Sequence, residues 1–260
     1  MAKLSKAQAK AHRAACELLL KDVLTLDERE FVINNWQESA THSNGEAGAF
    51  FTPLEMAETF AVEVGGHDGF TLIDLCAGIG CLSYVVWARS QGWSGGPSRI
   101  VCVEKNPDYV AVGRKVLPEA EWICADVFDL PDLGRFSFAI SNPPFGSGGP
   151  VKGVSLDLNV VAVAAQIADH GVFILPQASS PFRYSGEQGF KAEPGKAYEK
   201  FHDKTGHTLE PNCGIDCDQW RGDWRGVAPK VEICTADFPR KAQVVQLHRA
   251  AQLELFAEAA

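Results

Sequence analysis

Residues 141–146, with the sequence SNPPFG, contain side-chain and backbone groups that can position an amine. The side-chain oxygen of Asn142 and the carbonyl of Pro143 can accept the two hydrogens of an exocyclic aromatic amine. The amine's lone pair then localises toward an incoming electrophile. Because proline lacks an N–H, no neighbouring donor competes for that carbonyl, and an aromatic ring offers a face for stacking. We therefore predict catalysis by electrostatic positioning, carried by Asn142, Pro143, Pro144 and Phe145; a structural Pro-Pro loop is the alternative.

A second motif, Asp74-Leu-Cys-Ala-Gly78-Ile-Gly80, follows an apolar strand and precedes a helix. The two glycines allow a tight turn and a close approach of the backbone to a ligand. A simple strand-to-helix turn and a dinucleotide site are the alternatives. A dinucleotide fingerprint would place a third glycine where the chain has Ser83. Asp74 would repel a pyrophosphate but attract the ammonium of a methionine group, so the motif favours S-adenosylmethionine as cofactor.

Two more acidic residues follow the next two predicted strands. Glu104 can accept hydrogen bonds from both ribose hydroxyls, and Asp126 can accept one from the cofactor's adenine amine. Taken alone, either residue could be a solvated acid in a turn. Because the carboxyl ends of parallel strands meet at one edge of a sheet, acids or glycines after three successive strands predict a cofactor cleft there.

Short apolar runs alternate with helical patterns, which predicts an α/β fold with a parallel sheet covered on both faces. The predicted strands are 70–75, 99–103, 121–124, 136–141, 171–175 and 231–236. The predicted helices include 3–22, 27–38 with a capping box from Asp27 to Glu30, and one from Thr52 as N-cap to about Val64. A loop is predicted for 39–48, and the tail from about 243 is either a strand or a helix.

The chain is expected to divide into four parts. These are an N-terminal helical segment (1–45), a cofactor-binding and catalytic core (46–176), an insertion for target recognition (177–230), and the final strands with the C-terminal tail (231–260).

Composition sets the broad class of the protein. The chain has 260 residues, 46% of them apolar, with no uninterrupted apolar run long enough to span a membrane. Its N-terminus lacks the pattern of a signal peptide, and its eight cysteines fit a reducing compartment. We therefore expect a cytoplasmic protein. Cys213 and Cys217 have no second pair at zinc spacing, so we predict no metal site.

The net charge of −9 is unevenly distributed. Residues 46–134 hold thirteen acidic and five basic residues, whereas residues 221–249 hold six basic and three acidic ones. Because a nucleic acid responds to the local surface, we expect a modest, salt-sensitive affinity.

Target recognition is expected within residues 177–230. Trp220, Arg221, Trp224 and Arg225 alternate aromatic and basic side chains that could stack on bases and contact phosphates; the alternative is that the tryptophans pack over the sheet. Other candidates are Ser180, Phe182, Arg183, His202, His207 and a mobile lid at Gly146–Gly149.

Residues 74–80 followed by 142–145 resemble the class I methyltransferases that modify exocyclic amines. Phe51-Thr52-Pro53, upstream of the glycine loop, is similar to an element of adenine-N6 DNA methyltransferases that closes over the cofactor. The resemblance covers roughly residues 46–176. It implies a Rossmann-like, doubly wound, mostly parallel seven-stranded sheet, S-adenosylmethionine as cofactor, and the N6 amine of adenine in DNA as substrate.

The resemblance also implies roles for individual residues: Phe51 to Pro53 and Asp74 for the methionine part, Glu104 for the ribose, Asp126 for the cofactor's adenine, and residues 142–145 for the target base. The full predicted cofactor-binding set is Phe51, Thr52, Pro53, Asp74, Cys76, Ala77, Gly78, Gly80, Glu104, Asp126, Val127 and Asn142. Three alternatives remain at this point: adenine methylation in structured RNA, methylation of a protein glutamine, and a catalytically silent module that binds a partner.

Overall fold

The computed structural model of the chain describes residues 4–37, 50–65, 68–91, 96–225 and 229–239. The predictions for residues 39–48 and for the tail from about 243 lie outside these ranges. A seven-stranded sheet has the order β3-β2-β1-β4-β5-β7-β6. Strands β1 to β5 pair in parallel, and β7 is antiparallel to both β5 and β6. This arrangement confirms the predicted doubly wound, mostly parallel sheet.

The strands and helices have the following bounds. The strands are β1 (Thr71–Leu75), β2 (Arg99–Glu104), β3 (Glu121–Cys124), β4 (Phe136–Ser141), β5 (Ala168–Pro176), β6 (Glu210–Pro211) and β7 (Val231–Asp237). The α-helices are α1 (Lys6–Leu18), α2 (Leu26–Asn35), α3 (Leu54–Phe60), α4 (Cys81–Ser90), α5 (Pro107–Val116), α6 (Leu156–Ile167) and α7 (Lys196–Thr205). Short 3₁₀ turns follow at Ala61–Glu63, Gln177–Ser179 and Cys217–Trp220. Among the described residues, none of the helices combines the length and the apolar character of a membrane span.

The sheet separates two apolar cores. Leu72 of β1 belongs to the core under the N-terminal helices, α4 and α5, whereas its neighbour Ile73 belongs to the core under α6 and α7. Successive side chains of a strand point to opposite faces, so a continuous apolar run is buried on both sides. The central strands could be recognised from sequence for this reason.

The chain order places β1 between β2 and β4, at the point where the strand order reverses. In open parallel sheets, ligands bind in the crevice outside the carboxyl ends of the strands at such a point. Asp74 pairs with Cys102 of β2 and with Ile140 of β4. The fold therefore brings the ends of these three strands together at one edge.

Two helix starts differ from the predictions. The capping box of α2 is formed by Thr25 and Glu28, with the Glu28 amide donating to the Thr25 hydroxyl over 3.3 Å, so the prediction of Asp27 and Glu30 was wrong. The N-cap of α3 is Pro53, and the predicted cap, Thr52, makes no such bond. The hydroxyl of Thr52 instead accepts a hydrogen bond from Asn142.

Residues 177–230 are more regular than predicted. They contain α7 and the edge strand β6, together with two 3₁₀ turns. Within α7 only Tyr198 and Phe201 are buried, and β6 has two exposed residues. These elements gave weak sequence signals because they bury so few apolar side chains.

Candidate functional site

A cleft opens at the carboxyl edge of the sheet, above β1. Its lining includes seven of the residues predicted for cofactor binding: Phe51, Thr52, Asp74, Cys76, Ala77, Gly78 and Asn142. Four residues that sequence reasoning missed also line it: Phe50, Ile79, Cys81 and Leu82.

The glycine loop is held against β2 by Glu104. One carboxylate oxygen of Glu104 accepts from the Gly78 amide over 2.9 Å, and the other accepts from the Asn106 amide over 2.8 Å. Burial raises the pKa of this carboxyl group, and the backbone donors oppose that rise. Glu104 thus holds the glycine loop in place but does not itself line the cleft, and its ribose role stays a prediction.

Gly78 permits a close approach that a larger residue would prevent. Its φ is 58°, in the left-handed region, and a Cβ added there would stand 3.1 Å from the ring of Phe51. Cys76 also has a left-handed φ of 62°, a conformation that costs energy for a residue with a side chain. The loop between β1 and α4 is therefore strained and tightly packed under Phe51.

Asp74 is almost fully buried, with 1% exposure. Its Oδ2 accepts a hydrogen bond from the Ser83 hydroxyl over 2.8 Å, whereas its Oδ1 has no hydrogen-bond partner in the described structure. Burial raises the pKa of Asp74 to about 7, with a smaller contribution from the charge of Glu104, and the Ser83 hydrogen bond opposes the rise. A buried, unpartnered carboxylate oxygen at the cleft fits a cationic N–H donor such as an ammonium group.

The side-chain amide of Asn142 is fixed in one orientation. Its nitrogen donates to the Phe50 carbonyl over 2.8 Å and to the Thr52 hydroxyl over 3.0 Å. A carbonyl oxygen can only accept, so the amide nitrogen must face Phe50. Both N–H bonds are thereby used, and the side-chain oxygen is presented as an acceptor at the end of β4.

An aromatic cluster supports this segment. Phe51 lies 5.9 Å from Trp36 and 5.1 Å from Tyr109, measured between ring centroids. Phe50 lies 6.2 Å from Phe145 in the same measure. The N-terminal helices therefore position the cleft, a contribution that the sequence did not reveal because the contacts form only in the folded chain.

Other predicted site residues stand beside the cleft or pack beneath it. Asp126 accepts from Lys105 over 2.8 Å, and that contact holds the pKa of Asp126 below its ordinary value. Val127 is buried in the core under α6 and α7. Gly80 caps α4 against Trp122. Pro53 and residues 143–145 do not line the cleft; Pro143 is buried, and Pro144 and Phe145 are half-buried.

The predicted recognition residues are mostly occupied by structural contacts. Trp220 and Trp224 are buried in the core, which agrees with the alternative that they pack over the sheet. Arg221 pairs with Asp218 over 3.6 Å. Arg225 donates to the carbonyls of Trp36 and Ile33 at the end of α2. Packing buries the two tryptophans, so they are not available to stack on bases, whereas Arg221 is exposed and its contact with phosphates stays a prediction.

The remaining candidates lie in defined positions. Ser180 and Phe182 are buried, and Arg183 is exposed. The predicted lid at Gly146–Gly149 is bonded to α6, with the Gly146 carbonyl accepting from the Leu156 amide over 2.9 Å. His202 contacts the carbonyl of His207 over 2.9 Å. Across the described ranges, no three His, Cys, Asp or Glu side chains are grouped to hold a metal ion.

The chain is similar to known proteins in its fold rather than in its sequence. No protein-family model matches the chain, and no curated protein matches it in sequence. A protein from Listeria monocytogenes described as a class I S-adenosylmethionine-dependent methyltransferase has a TM-score of 0.57 and 10% identity, with 86% of this chain and 71% of that one covered. The type I restriction-modification methyltransferase subunit from Streptococcus thermophilus has a TM-score of 0.55 and 16% identity, with 87% and 53% covered.

A protein from Vibrio vulnificus described as a modification subunit of a type I restriction enzyme has a TM-score of 0.52 and 9% identity, with 83% and 50% covered. The chain thus spans about half the length of the two restriction-modification subunits. These likenesses and the strand order show that the chain has the Rossmann-like fold of class I methyltransferases.

Proposed function

We propose that the protein transfers a methyl group from S-adenosylmethionine to the exocyclic N6 amine of adenine in DNA. The observation that carries the proposal is the orientation of Asn142. Its two N–H bonds are taken by Phe50 and Thr52, so its oxygen is available to accept from a substrate amine beside the cleft. Two of the proteins with a similar fold are restriction-modification subunits, and this likeness supports DNA as the substrate.

The polar groups at and around the cleft suit the proposed cofactor, which would supply an electrophilic methyl group on its sulfonium when bound. The unpartnered oxygen of Asp74 would bind the ammonium of the methionine part. Glu104, at the end of the next strand, would accept from the ribose hydroxyls, and Asp126 would accept from the adenine amine. Gly78 keeps the backbone of the loop close to the ligand.

On the acceptor side, the target adenine is flipped out of the duplex and stacks on Phe145. The oxygen of Asn142 and the carbonyl of Pro143 accept the two amine hydrogens, which directs the nitrogen lone pair toward the methyl group. Pro144 fixes the backbone that aims this carbonyl. None of these groups acts as a strong base, so the residues contribute by placement.

The test is to incubate the protein with methyl-labelled S-adenosylmethionine and, in parallel, DNA, total RNA and protein extract. Digestion of the labelled polymer to nucleosides identifies the modified base. Label in N6-methyladenine from DNA is the expected result. Label confined to RNA or to protein would overturn the choice of substrate.

Asn142→Ala tests the acceptor role within the same assay. We expect turnover to be lost while S-adenosylmethionine affinity, measured by calorimetry, stays near the wild-type value. Asn34→Ala, at an exposed asparagine of α2, is the matched control and should keep full activity. Wild-type turnover in Asn142→Ala would show that the acceptor reasoning is wrong.

A further inference from the structure

Helix α7 carries a stripe of lysines on its solvent side. Lys196, Lys200 and Lys204 are four residues apart, so they lie along one face of the helix. All three are exposed, whereas Tyr198 and Phe201 are buried beneath the helix. The buried pair fixes which face of α7 points outward.

The lysine stripe converges on the loop that follows residues 142–145. The ammonium nitrogens of Lys200 and Lys204 lie 3.0 Å and 3.4 Å from the point where a Cβ of Gly153 would stand. The Lys204 ammonium also donates to the carbonyl of Lys152, whose own side chain is exposed. We name Lys152, Lys196, Lys200 and Lys204 the α7 lysine patch.

No carboxylate in the described part of the chain forms an ion pair with these lysines. Glu199 and Asp203 lie on the neighbouring stripe of α7 and remain outside ion-pair distance. Two ammonium groups held side by side repel each other. An anion placed between them would remove that repulsion, so the patch is suited to a polyanion.

The loop beside the patch is held in a defined shape. Asn159 is fully buried; its Oδ1 accepts from the Val151 amide over 2.7 Å, and its Nδ2 donates to the Gly148 carbonyl over 2.9 Å. Ser147 pairs with Ser155 across the loop. Because the loop begins directly after Phe145, these bonds fix Lys152, with the carbonyl that Lys204 contacts, relative to the proposed base-stacking residue.

We propose that the α7 lysine patch binds the phosphate backbone of double-stranded DNA next to the flipped adenine. This inference rests on the proposed function, because the patch adjoins the loop that leads from residues 142–145 to α6 and so gains a role in substrate binding. The patch takes the place of the basic segment expected from sequence at residues 220–225. In that segment, Arg221 pairs with Asp218, and Arg225 donates to carbonyls of α2. Phosphate contacts of this kind position the duplex without reading its sequence.

The test compares Lys200→Gln/Lys204→Gln with Lys6→Gln/Lys10→Gln. The control pair is likewise exposed and four residues apart, but it lies on α1. Binding to a fluorescently labelled mixed-sequence duplex is measured by anisotropy at several salt concentrations. Loss of two phosphate contacts should reduce the slope of log Kd against log salt by about 2. The ratio of variant to wild-type Kd should then be about ten-fold larger at about 50 mM than at about 200 mM salt.

Two further measurements sharpen the test. Lys200→Arg/Lys204→Arg keeps both charges and should retain wild-type affinity. Calorimetry with S-adenosylmethionine should give unchanged affinity in every variant, which shows that the cleft is intact. Equal DNA binding by the α7 glutamine variant and the α1 control would overturn the inference, as would a loss confined to RNA probes.

The outcomes separate this inference from the proposed function. If wild-type protein methylates DNA but the glutamine variant binds it normally, the patch is not the contact surface while the function stands. If DNA binding depends on the α7 lysines but no methyl group reaches DNA, the patch stands while the proposed function fails.

Discussion

The buried carboxyl group of Asp74 should destabilise the folded protein at neutral pH. We expect the same group to bind the ammonium of the cofactor. Its pKa is raised from 3.8 to about 7 because the group is buried. At about 1.36 kcal/mol per pKa step, ionising it in the folded protein costs about 4 kcal/mol more than in the unfolded chain. The folded state keeps its proton to higher pH, so this stability is present below about pH 4 and is lost as pH rises to about 7.

The variant Asp74→Asn removes this titration. Between about pH 5 and pH 8, this titration lowers the unfolding free energy of the wild type by about 2–3 kcal/mol. Over the same pH range, the unfolding free energy of the variant should fall by that much less. Urea unfolding at several pH values measures it. Glu104 and Asp157 also have raised pKa values, so the difference between variant and wild type isolates Asp74. Asp126→Asn is the control, because the pKa of Asp126 is lowered by Lys105.

The same variant should bind S-adenosylmethionine more weakly. A charge-assisted hydrogen bond contributes about 1.5–3 kcal/mol, so its loss should raise Kd about 10- to 100-fold. In the wild type, affinity should fall as pH drops below about 7, because protonated Asp74 no longer attracts the ammonium. Ser83→Ala removes the hydrogen bond that opposes the pKa rise and should move this dependence to higher pH.

Two results would refute the reasoning about Asp74. The first is a parallel decline of unfolding free energy with pH in Asp74→Asn and wild type, which would mean that the carboxyl group does not titrate between these limits. The second is calorimetry in which Asp74→Asn binds the cofactor as tightly as wild type.

Three further substitutions test the cleft and its support. Glu104→Gln places an amide donor against the Gly78 or Asn106 amide. We therefore expect weaker cofactor binding and a decrease of about 1–3 kcal/mol in the free energy of unfolding measured with urea. An unchanged cofactor affinity by calorimetry would exclude the ribose role. Gly78→Ala places a methyl group against the Phe51 ring at a position with a left-handed φ. It should destabilise the fold by more than about 1 kcal/mol and weaken cofactor binding. Gly134→Ala is the control, because Gly134 also has a positive φ but faces open space, and it should leave cofactor binding unchanged. Arg225→Gln should lower the melting temperature by several degrees, since about 1–3 kcal/mol of charge-assisted bonding to α2 is lost; an unshifted melting curve would contradict that role.

The central sheet and the position of the cleft could be predicted because the signals are local. Strands β1, β2 and β4 are short apolar runs buried on both faces; Asp74 and Glu104 lie at the carboxyl ends of β1 and β2, and Asn142 directly follows β4. Parallel strands bring such ends together wherever the connecting helices run.

Features that depend on distant contacts could not be predicted. The hydroxyl of Thr52 has the chemistry of a helix cap, yet it is bound by Asn142, ninety residues away along the chain. Trp220 and Trp224 alternate with arginines in a pattern typical of surfaces that bind nucleic acids, but tertiary packing buries both tryptophans. Strand β6 consists of two exposed residues with no apolar pattern to recognise.

One amide group joins the two halves of the site. Asn142 is bonded through its nitrogen to residues 50 and 52, beside the cleft, and presents its oxygen at the end of β4. A shift of residues 50–52 would therefore also rotate the side-chain oxygen of Asn142. Variants selected to admit a bulkier cofactor analogue at Phe50 or Thr52 should consequently lose catalytic rate unless a compensating change restores the orientation of this one side chain.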